Sequence, residues 1–266
     1  MDDLRDEIFK RLSGRIADAF IIANSAGVIA GTQKAKDEAE RLGLAVKKIL
    51  PEGSHVNEND VVAHFRGHVK QVAFGEDFLI GYISKPSGIA TAAYKFRQAA
   101  GDRPRVVSGA WKKMPLELKE TIRRAVAAGG AFIRISSDPF IYLDKNYIEI
   151  FGGIAESLKA VAHLKGYLKV IQLRGRYENI GLEAREAAKL GADILFIDTG
   201  DMKDIEKVAR EIRKMGLREK VEIAFGGAVT LDEMDIIKTL DVDILDIGRA
   251  IVDAPLLDLK YEVQRV

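Results

Sequence analysis

Val221-Glu-Ile-Ala-Phe-Gly226-Gly227-Ala-Val-Thr230 and Val242-Asp-Ile-Leu-Asp-Ile-Gly248-Arg249-Ala250 are two apolar runs of strand length, each closed by glycine. Near-continuous apolar character marks a strand covered on both faces, which is how parallel strands beneath helices read. Runs of the same kind occur upstream at Ile194–Asp198, Leu168–Leu173, Ala131–Ser136 and Arg105–Ala110. Amphipathic segments of helix length separate most of them: Pro115–Ala128, Ile154–Leu164, Gly181–Leu190, Lys203–Met215 and Thr230–Leu240. So long a series predicts an α/β chain whose residues 104–266 form a (β/α) barrel, closed or incomplete, rather than an open sheet.

The site of such a barrel lies at the C-terminal ends of its strands. That rule selects Lys112, Arg134, Arg174, Asp198, Gly226, Gly227, Gly248 and Arg249. Backbone N–H groups approach a phosphate closely only where no Cβ intervenes, and a helix N-terminus adds partial positive charge. One Gly-Gly would read as a tight turn. Two glycine-ended strands in the last two positions predict a cradle for a phosphorylated small molecule at Gly226, Gly227 and Gly248. Arg249 either adds its planar fork to that phosphate or is a solvated surface arginine. The cradle does not say which phosphorylated molecule, because many barrel enzymes share it.

Residues 1–103 read as a smaller α+β sandwich domain that includes the helix leading into the barrel. A helix is expected over Asp2–Leu12, a strand at Ala19–Ala23 and a helix over Gly31–Leu42, followed by short strands from Gly53 onward. His64 and His68 are four apart, the spacing of two ligands on one helical face. Their Val-rich context and Gly67 predict a strand and turn, where that spacing has no such meaning.

The 266 residues carry 41 Lys+Arg against 40 Asp+Glu and no cysteine. A net charge of +1 and a pI of about 7.8 give no global attraction to nucleic acid or an anionic membrane, so neither is expected as a partner. Without cysteine there is no disulfide, thiolate nucleophile or Cys-ligated zinc. The apolar stretch Ala19–Gly31 is interrupted by Asn24 and Ser25 and falls short of a bilayer span, and Met1–Glu7 lacks the pattern of a signal peptide. A cytoplasmic address is the default expectation.

Several stretches, in order across nearly the whole chain, resemble the quinolinate phosphoribosyltransferase family, also called carboxylating nicotinate-nucleotide pyrophosphorylases. Ser87-Gly-Ile-Ala-Thr91 is similar to that family's Ser-Gly-Ile-Ala-Thr helix start. Ala128-Gly-Gly130 with Arg134 resembles its Gly-Gly…His-Arg segment, and Gly191-Ala-Asp-Ile-Leu-Phe-Ile-Asp198 its Gly-Ala-Asp…Leu-Asp-Asn strand. Phe225-Gly-Gly227 and Asp246-Ile-Gly248 stand where the family has Ser-Gly-Gly and Ser-Val-Gly, and Val56–Val69 resembles its N-terminal sandwich.

The resemblance implies transfer of ribose 5-phosphate from 5-phosphoribosyl diphosphate, with Mg²⁺ and no organic cofactor, in a homodimer or an assembly of dimers. It gives catalytic roles to Lys112, Arg134 and Asp198, Asp198 also meeting the metal, and substrate-binding roles to Trp111, Lys113, Gln172, Arg174 and Asp77. Departures fall in the same pocket. Asp77 stands where the family has an arginine that crosses the dimer interface, and Trp111 replaces the arginine before Lys112. Ile133 replaces the histidine before Arg134, and Gln172 replaces an acid. Tyr142 or Leu143 falls where a lysine is expected, with Lys145 a substitute if the loop shifts.

Losing two arginine contacts to one ligand costs about 3–6 kcal/mol, roughly two to four decades in affinity. The leading expectation is therefore a diverged phosphoribosyltransferase acting on a planar ring less anionic than quinolinate. Trp111 offers such a ring an aromatic face or simply caps the barrel mouth. Lys112 and Lys113 face the pocket or are a solvated pair, and the strand-end position favours the pocket for Lys112. A non-catalytic binder that keeps the phosphate cradle, and the family reaction itself with a rearranged pocket, are the competing expectations.

Overall fold

The computed structural model describes residues 4–264; Met1, Asp2 and Asp3, in which the expected first helix begins, lie outside them, as do Arg265 and Val266. The chain divides into two units. In the first, period-two alternation builds a sheet. Along β1 (Ile16–Ala23) Ala17, Ala19, Ile21 and Ala23 are buried and the residues between them are not. β1 pairs antiparallel with β5 (Val61–His68) and with β12 (Leu259–Gln264), and β5 with β3 (Ala45–Ile49), in the order β12-β1-β5-β3. β2 (Gly27–Val28) and β4 (His55–Val56) form a separate ribbon. α1 (Leu4–Phe9), with a 3₁₀ turn at Lys10–Leu12, precedes the sheet.

The apolar face of this sheet packs on α2 (Thr32–Arg41) and the 32-residue α3 (Val69–Ala100): Ala35, Ala39, Val72, Leu79 and Ile83 meet Ile21 and Phe65. His64 lies within β5, where Nε2 is 2.8 Å from Asp18 Oδ1 and the ring stacks on Phe20. Ser87 and Thr91, one turn apart on α3, accept from the amides of Ala30 and Val28, both at 2.9 Å. The Ser-Gly-Ile-Ala-Thr stretch thus stitches backbone to helix. No helix among the described residues is long and apolar enough to cross a membrane.

Pro86 within α3 has no N–H for the carbonyl of Tyr82 four residues back. Gly31 packs on that carbonyl. Its φ is +84°, and a Cβ there would stand 1.9 Å from Tyr82 O. Gly31→Ala combines a left-handed penalty with overpacking against backbone and is expected to cost about 2–5 kcal/mol, read from denaturant unfolding. A cost below about 0.5 kcal/mol, the level of a neutral surface change, would contradict this packing.

The second unit takes in Phe96–Lys112 and Ala131–Ala250. It holds β6 (Arg105–Val107), β7 (Phe140–Leu143), β8 (Leu168–Leu173), β9 (Ile194–Asp198), β10 (Glu222–Gly226) and β11 (Ile244–Asp246), all parallel, in the order β6-β11-β10-β9-β8-β7. Val107, Val170, Ile194, Phe196, Ala224 and Ile244 fill the inner face with Phe140 and Tyr142. This is the expected barrel, left open between β7 and the segment after Ala131. Helices α5 (Lys145–Phe151), α6 (Ile154–Val161), α7 (Ile180–Lys189) and α8 (Met202–Lys214) follow β7, β8 and β9 in series. On α8, Ile205, Val208, Ala209 and Ile212 form the buried stripe. The first unit adds α4 (Leu116–Ala128).

Three expectations are corrected. Ala131–Ser136 is not a strand: only Phe132 bridges Val107, and the Ser136-Ser137-Asp138-Pro139 run turns the chain, with Ser136 Oγ accepting from the Asp138 amide at 3.1 Å. The next strand is β7, which lies at the other edge of the sheet, beside β8. The helix over Thr230–Leu240 shrinks to a 3₁₀ turn at Leu231–Glu233 and α9 (Met234–Ile237), opened by a Thr230/Glu233 capping box. The strand from Arg105 stops at Val107, and Ala110–Lys113 is a 3₁₀ turn.

At the opposite end of the sheet from the expected site, Asp243 is 2% exposed and bonded to Arg218 at 2.8 Å, to Arg103 and to the Ile223 amide at 2.8 Å. Burial alone would raise its carboxyl, but the Arg218 bond, the Ile223 amide and Arg103 together hold it below the ordinary value. A depressed folded pKa stabilises the fold above the unfolded carboxyl value of about 4 and loses that stabilisation as pH falls through the folded value. Asp243→Ala removes one of the two acids that meet Arg218, Asp241 remaining at 2.7 Å, and is expected to cost about 1.5–3 kcal/mol at neutral pH and less at pH 3. An equal cost at both pH values would contradict the linkage.

Candidate active site

The C-terminal ends of the parallel strands carry a connected set of polar groups. Inward-facing positions recur every second residue, so Tyr142 on β7, Gln172 on β8, Asp198 on β9 and Asp246 on β11 come last on the inner face. Gln172 is buried. Its Oε1 accepts from the Lys145 amide at 2.7 Å while its Nε2 donates to Asp198. Lys145 offers that amide because Asp144 caps α5, accepting from the amides of Asn146 and Tyr147. Asp246 Oδ1 accepts from the Gly109 amide at 3.0 Å, tying β11 to the turn after β6.

Lys112, in that turn, places Nζ 5.5 Å from the centre of the Tyr142 ring. Burial is the largest influence on the Tyr142 phenol and the carboxylates of Asp246, Asp198 and Asp144 add to it, so its pKa is strongly raised and it stays protonated. Tyr142 therefore stands as a neutral donor among acids, where a lysine was expected. Trp111 directs its indole N–H to the carbonyl of Ile133 at 3.1 Å. Its polar edge fastens the chain that follows Ala131.

Beside Asp198, Gly226 and Gly227 come within reach of the next loop. The Gly200 amide donates to Gly226 O at 3.2 Å, and Gly227, at φ +115°, lies so close that a Cβ would stand 2.5 Å from Gly200 N. Gly248 directly precedes α10 (Arg249–Val252), with Arg249 exposed at its first position. Gly227, by contrast, is three residues before Thr230, so no helix opens on it.

Lys112, Trp111, Gln172, Asp198, Gly226, Gly227, Gly248 and Arg174 are thus carried on strand ends of one unit. Arg134 is not among them. Its guanidinium lies 5.1 Å from the Phe140 ring, over the first residue of β7, in a cleft lined by Arg105, Leu168 and Glu222 at the strand starts. Loss of the expected strand at Ala131–Ser136 is the reason. Asp77, on α3 in the other unit, is exposed and pairs with Arg5 at 3.4 Å; Lys113 also belongs to that unit and is exposed.

Asp246 and Tyr142 are the mouth residues the sequence reading gave no role. The signal for Asp246 was the period-two placement of an acid on an otherwise apolar strand. Tyr142 was named only as one of two residues standing where the family resemblance has a lysine, because β7, between Pro139 and the Asp144-Lys145-Asn146 turn, was not read as a strand.

Comparison with known proteins agrees with this architecture. Residues 6–87 match the model of the quinolinate phosphoribosyl transferase N-terminal domain, and residues 89–262 that of its C-terminal domain. A probable nicotinate-nucleotide pyrophosphorylase (carboxylating) of Archaeoglobus fulgidus is 29% identical over 248 residues, 92% of this chain and 94% of that protein. One of Methanothermobacter thermautotrophicus is 24% identical over 252 residues, 92% of this chain and 88% of that protein. The crystal structure of nicotinate-nucleotide pyrophosphorylase from Pyrococcus furiosus superposes with a TM-score of 0.84 at 22% identity, covering 96% of this chain and 71% of that one, which bears on the fold alone. With both domain models matched in order along nearly its whole length, the chain belongs to the quinolinate phosphoribosyltransferase family.

Proposed function

We propose that the protein is a phosphoribosyltransferase that moves ribose 5-phosphate between 5-phosphoribosyl diphosphate and a planar ring less anionic than quinolinate. The observation that carries this is the mouth set of Asp198, Gln172, Tyr142 and Lys112, which combines one acid, two neutral hydrogen-bonding groups and one basic side chain. Glycosyl transfer through an oxocarbenium-like state needs a carboxylate near the developing positive charge and cations near the departing diphosphate. Asp198 and Lys112 meet those needs, and the Gly226, Gly227 and Gly248 backbone, with no Cβ in the way, suits close approach of the 5-phosphate. Asp246 and Asp198 at the same mouth repel a second ring carboxylate.

Among the described residues no three His, Cys, Asp or Glu side chains gather into a metal cage. Mg²⁺ that keeps its waters and is bound mainly by substrate phosphates asks for only one or two carboxylates, and Asp198 fits that need. Bound there, it would neutralise charge on the leaving diphosphate. The family resemblance implies that, in a homodimer, Asp77 of the partner subunit approaches this mouth. We propose a homodimer on that ground, and light scattering that shows a monomer at micromolar concentration would contradict it.

Carboxylating transfer to quinolinate is the second reading, favoured by Lys145, Arg174 and Arg176 lining one cleft beside Gln172. Titration calorimetry separates the two. The leading reading expects 5-phosphoribosyl diphosphate to bind with Mg²⁺, and quinolinate to bind at least about a hundredfold more weakly than the micromolar range, from the two missing arginine contacts. Micromolar quinolinate binding would establish the second reading in its place.

A further inference from the structure

The loop after β8, Arg174-Gly-Arg-Tyr-Glu-Asn179, is organised from beneath by a buried acid. Glu183, on the first turn of α7 and 2% exposed, accepts from the amides of Arg174 at 3.2 Å, Gly175 at 2.8 Å and Tyr177 at 3.0 Å. Tyr177 closes the outer side of the loop, its hydroxyl donating to Glu149 Oε2 at 2.7 Å. Both acids are thus engaged by the loop's own N–H and O–H groups. Arg174 and Arg176 line one cleft with Lys145, Gln172 and Glu183, and none of these three cations forms an ion pair among the described residues. Elsewhere on the chain cations are commonly paired at short range, as in Arg105–Glu222 at 2.9 Å or Lys207–Asp204 at 2.7 Å. Cations held together by a fixed backbone, with the nearby carboxylate turned to amides, make a place for an outside anion.

We infer that Lys145, Arg174 and Arg176 form an oxyanion subsite of this active centre, and that Glu183 is the positioning residue that fixes it there. The subsite deepens the proposed function. Through Gln172, which bonds both the Lys145 amide and Asp198, it adjoins the acid proposed to face the ribose. The anion it takes is a carboxylate of the ring or the diphosphate of the phosphoribosyl donor, chemistries that the same three cations serve.

The test titrates the full chain with inorganic pyrophosphate, nicotinate and quinolinate, in the wild type, in Arg174→Gln with Arg176→Gln, in Glu183→Gln and in the combination. Loss of two charge-assisted contacts is expected to weaken the anion that uses the subsite by at least about tenfold and to flatten its salt dependence. Which anion responds tells the diphosphate from the ring carboxylate. Glu183→Gln is expected to raise KM for that substrate with kcat little changed, and to add less than twofold once the arginines are gone, because its effect acts through them. An effect of Glu183→Gln that persists undiminished without the arginines would overturn its positioning role. If Glu183→Gln does not fold, the double-arginine variant still decides the subsite. Unchanged affinity for all three anions, or a wild type that binds none of them, overturns the inference. Anion binding with no transfer activity overturns the proposed function and leaves the subsite standing.

Discussion

Asp198→Asn is expected to lower kcat by about 10²–10³, with the affinity for 5-phosphoribosyl diphosphate changed less than tenfold. The substitution keeps shape and leaves the side-chain oxygen available to the Gln172 amide, so the pocket is preserved and only the negative charge is removed. In the proposed reaction that charge faces the carbon from which the diphosphate departs. An electrostatic contribution of this kind is made in the transition state rather than in substrate binding, and it therefore shows in kcat. A variant within threefold of wild-type kcat would place the chemistry elsewhere.

The second large effect concerns the acceptor. Trp111→Arg puts a guanidinium at the strand end where the family carries one, and quinolinate affinity is expected to rise about tenfold or more from one restored charge-assisted contact. The new side chain retains a donor for the Ile133 carbonyl that the indole N–H now holds at 3.1 Å. Turnover with a neutral ring is expected to fall in the same variant, because Asp246, Asp198 and the new cation alter the field at the mouth together. Competition calorimetry measures the first effect and steady-state kinetics the second. No gain in quinolinate affinity would mean that Trp111 does not occupy the arginine's place.

Parallel strands with unbroken apolar runs, such as Ile194–Asp198, announced themselves because burial on both faces leaves no polar position to confuse the pattern. The glycine-ended strands were legible for a related reason, since Gly227 stands where a side chain would collide with the Gly200 backbone. Ala131–Ser136 misled because its apolar residues serve a crossing segment, and only Phe132 enters the ladder. That error, together with the family resemblance, carried Arg134 into the expected site, and it hid β7, and with it the surroundings of Tyr142. An acid's place on an apolar strand was legible where its distant partner was not. Asp246 holds the Gly109 amide across the sheet, a contact that no sequence window spans, whereas Glu183 holds the nearby loop of Arg174 by a turn geometry that its residue types do not announce.

Ser87 and Thr91 make the complementary point. Their stretch was the most specific signal of family in the sequence, and the structure uses both hydroxyls to satisfy the amides of Ala30 and Val28. A recognisable motif here fixes a fold contact, while the chemistry rests on side chains that only the strand ends bring together.

The measurement that bears most directly on the central claim follows pyrophosphate release from 5-phosphoribosyl diphosphate and Mg²⁺ across a panel of neutral, singly charged and doubly charged planar rings, with carbon dioxide recorded alongside. Release is predicted with a neutral or singly charged ring, abolished by about 10²-fold or more in Asp198→Asn, and slow with quinolinate without matching carbon dioxide. Efficient quinolinate turnover with one carbon dioxide per pyrophosphate would contradict the proposed acceptor preference, and release from no ring at all would contradict catalysis itself.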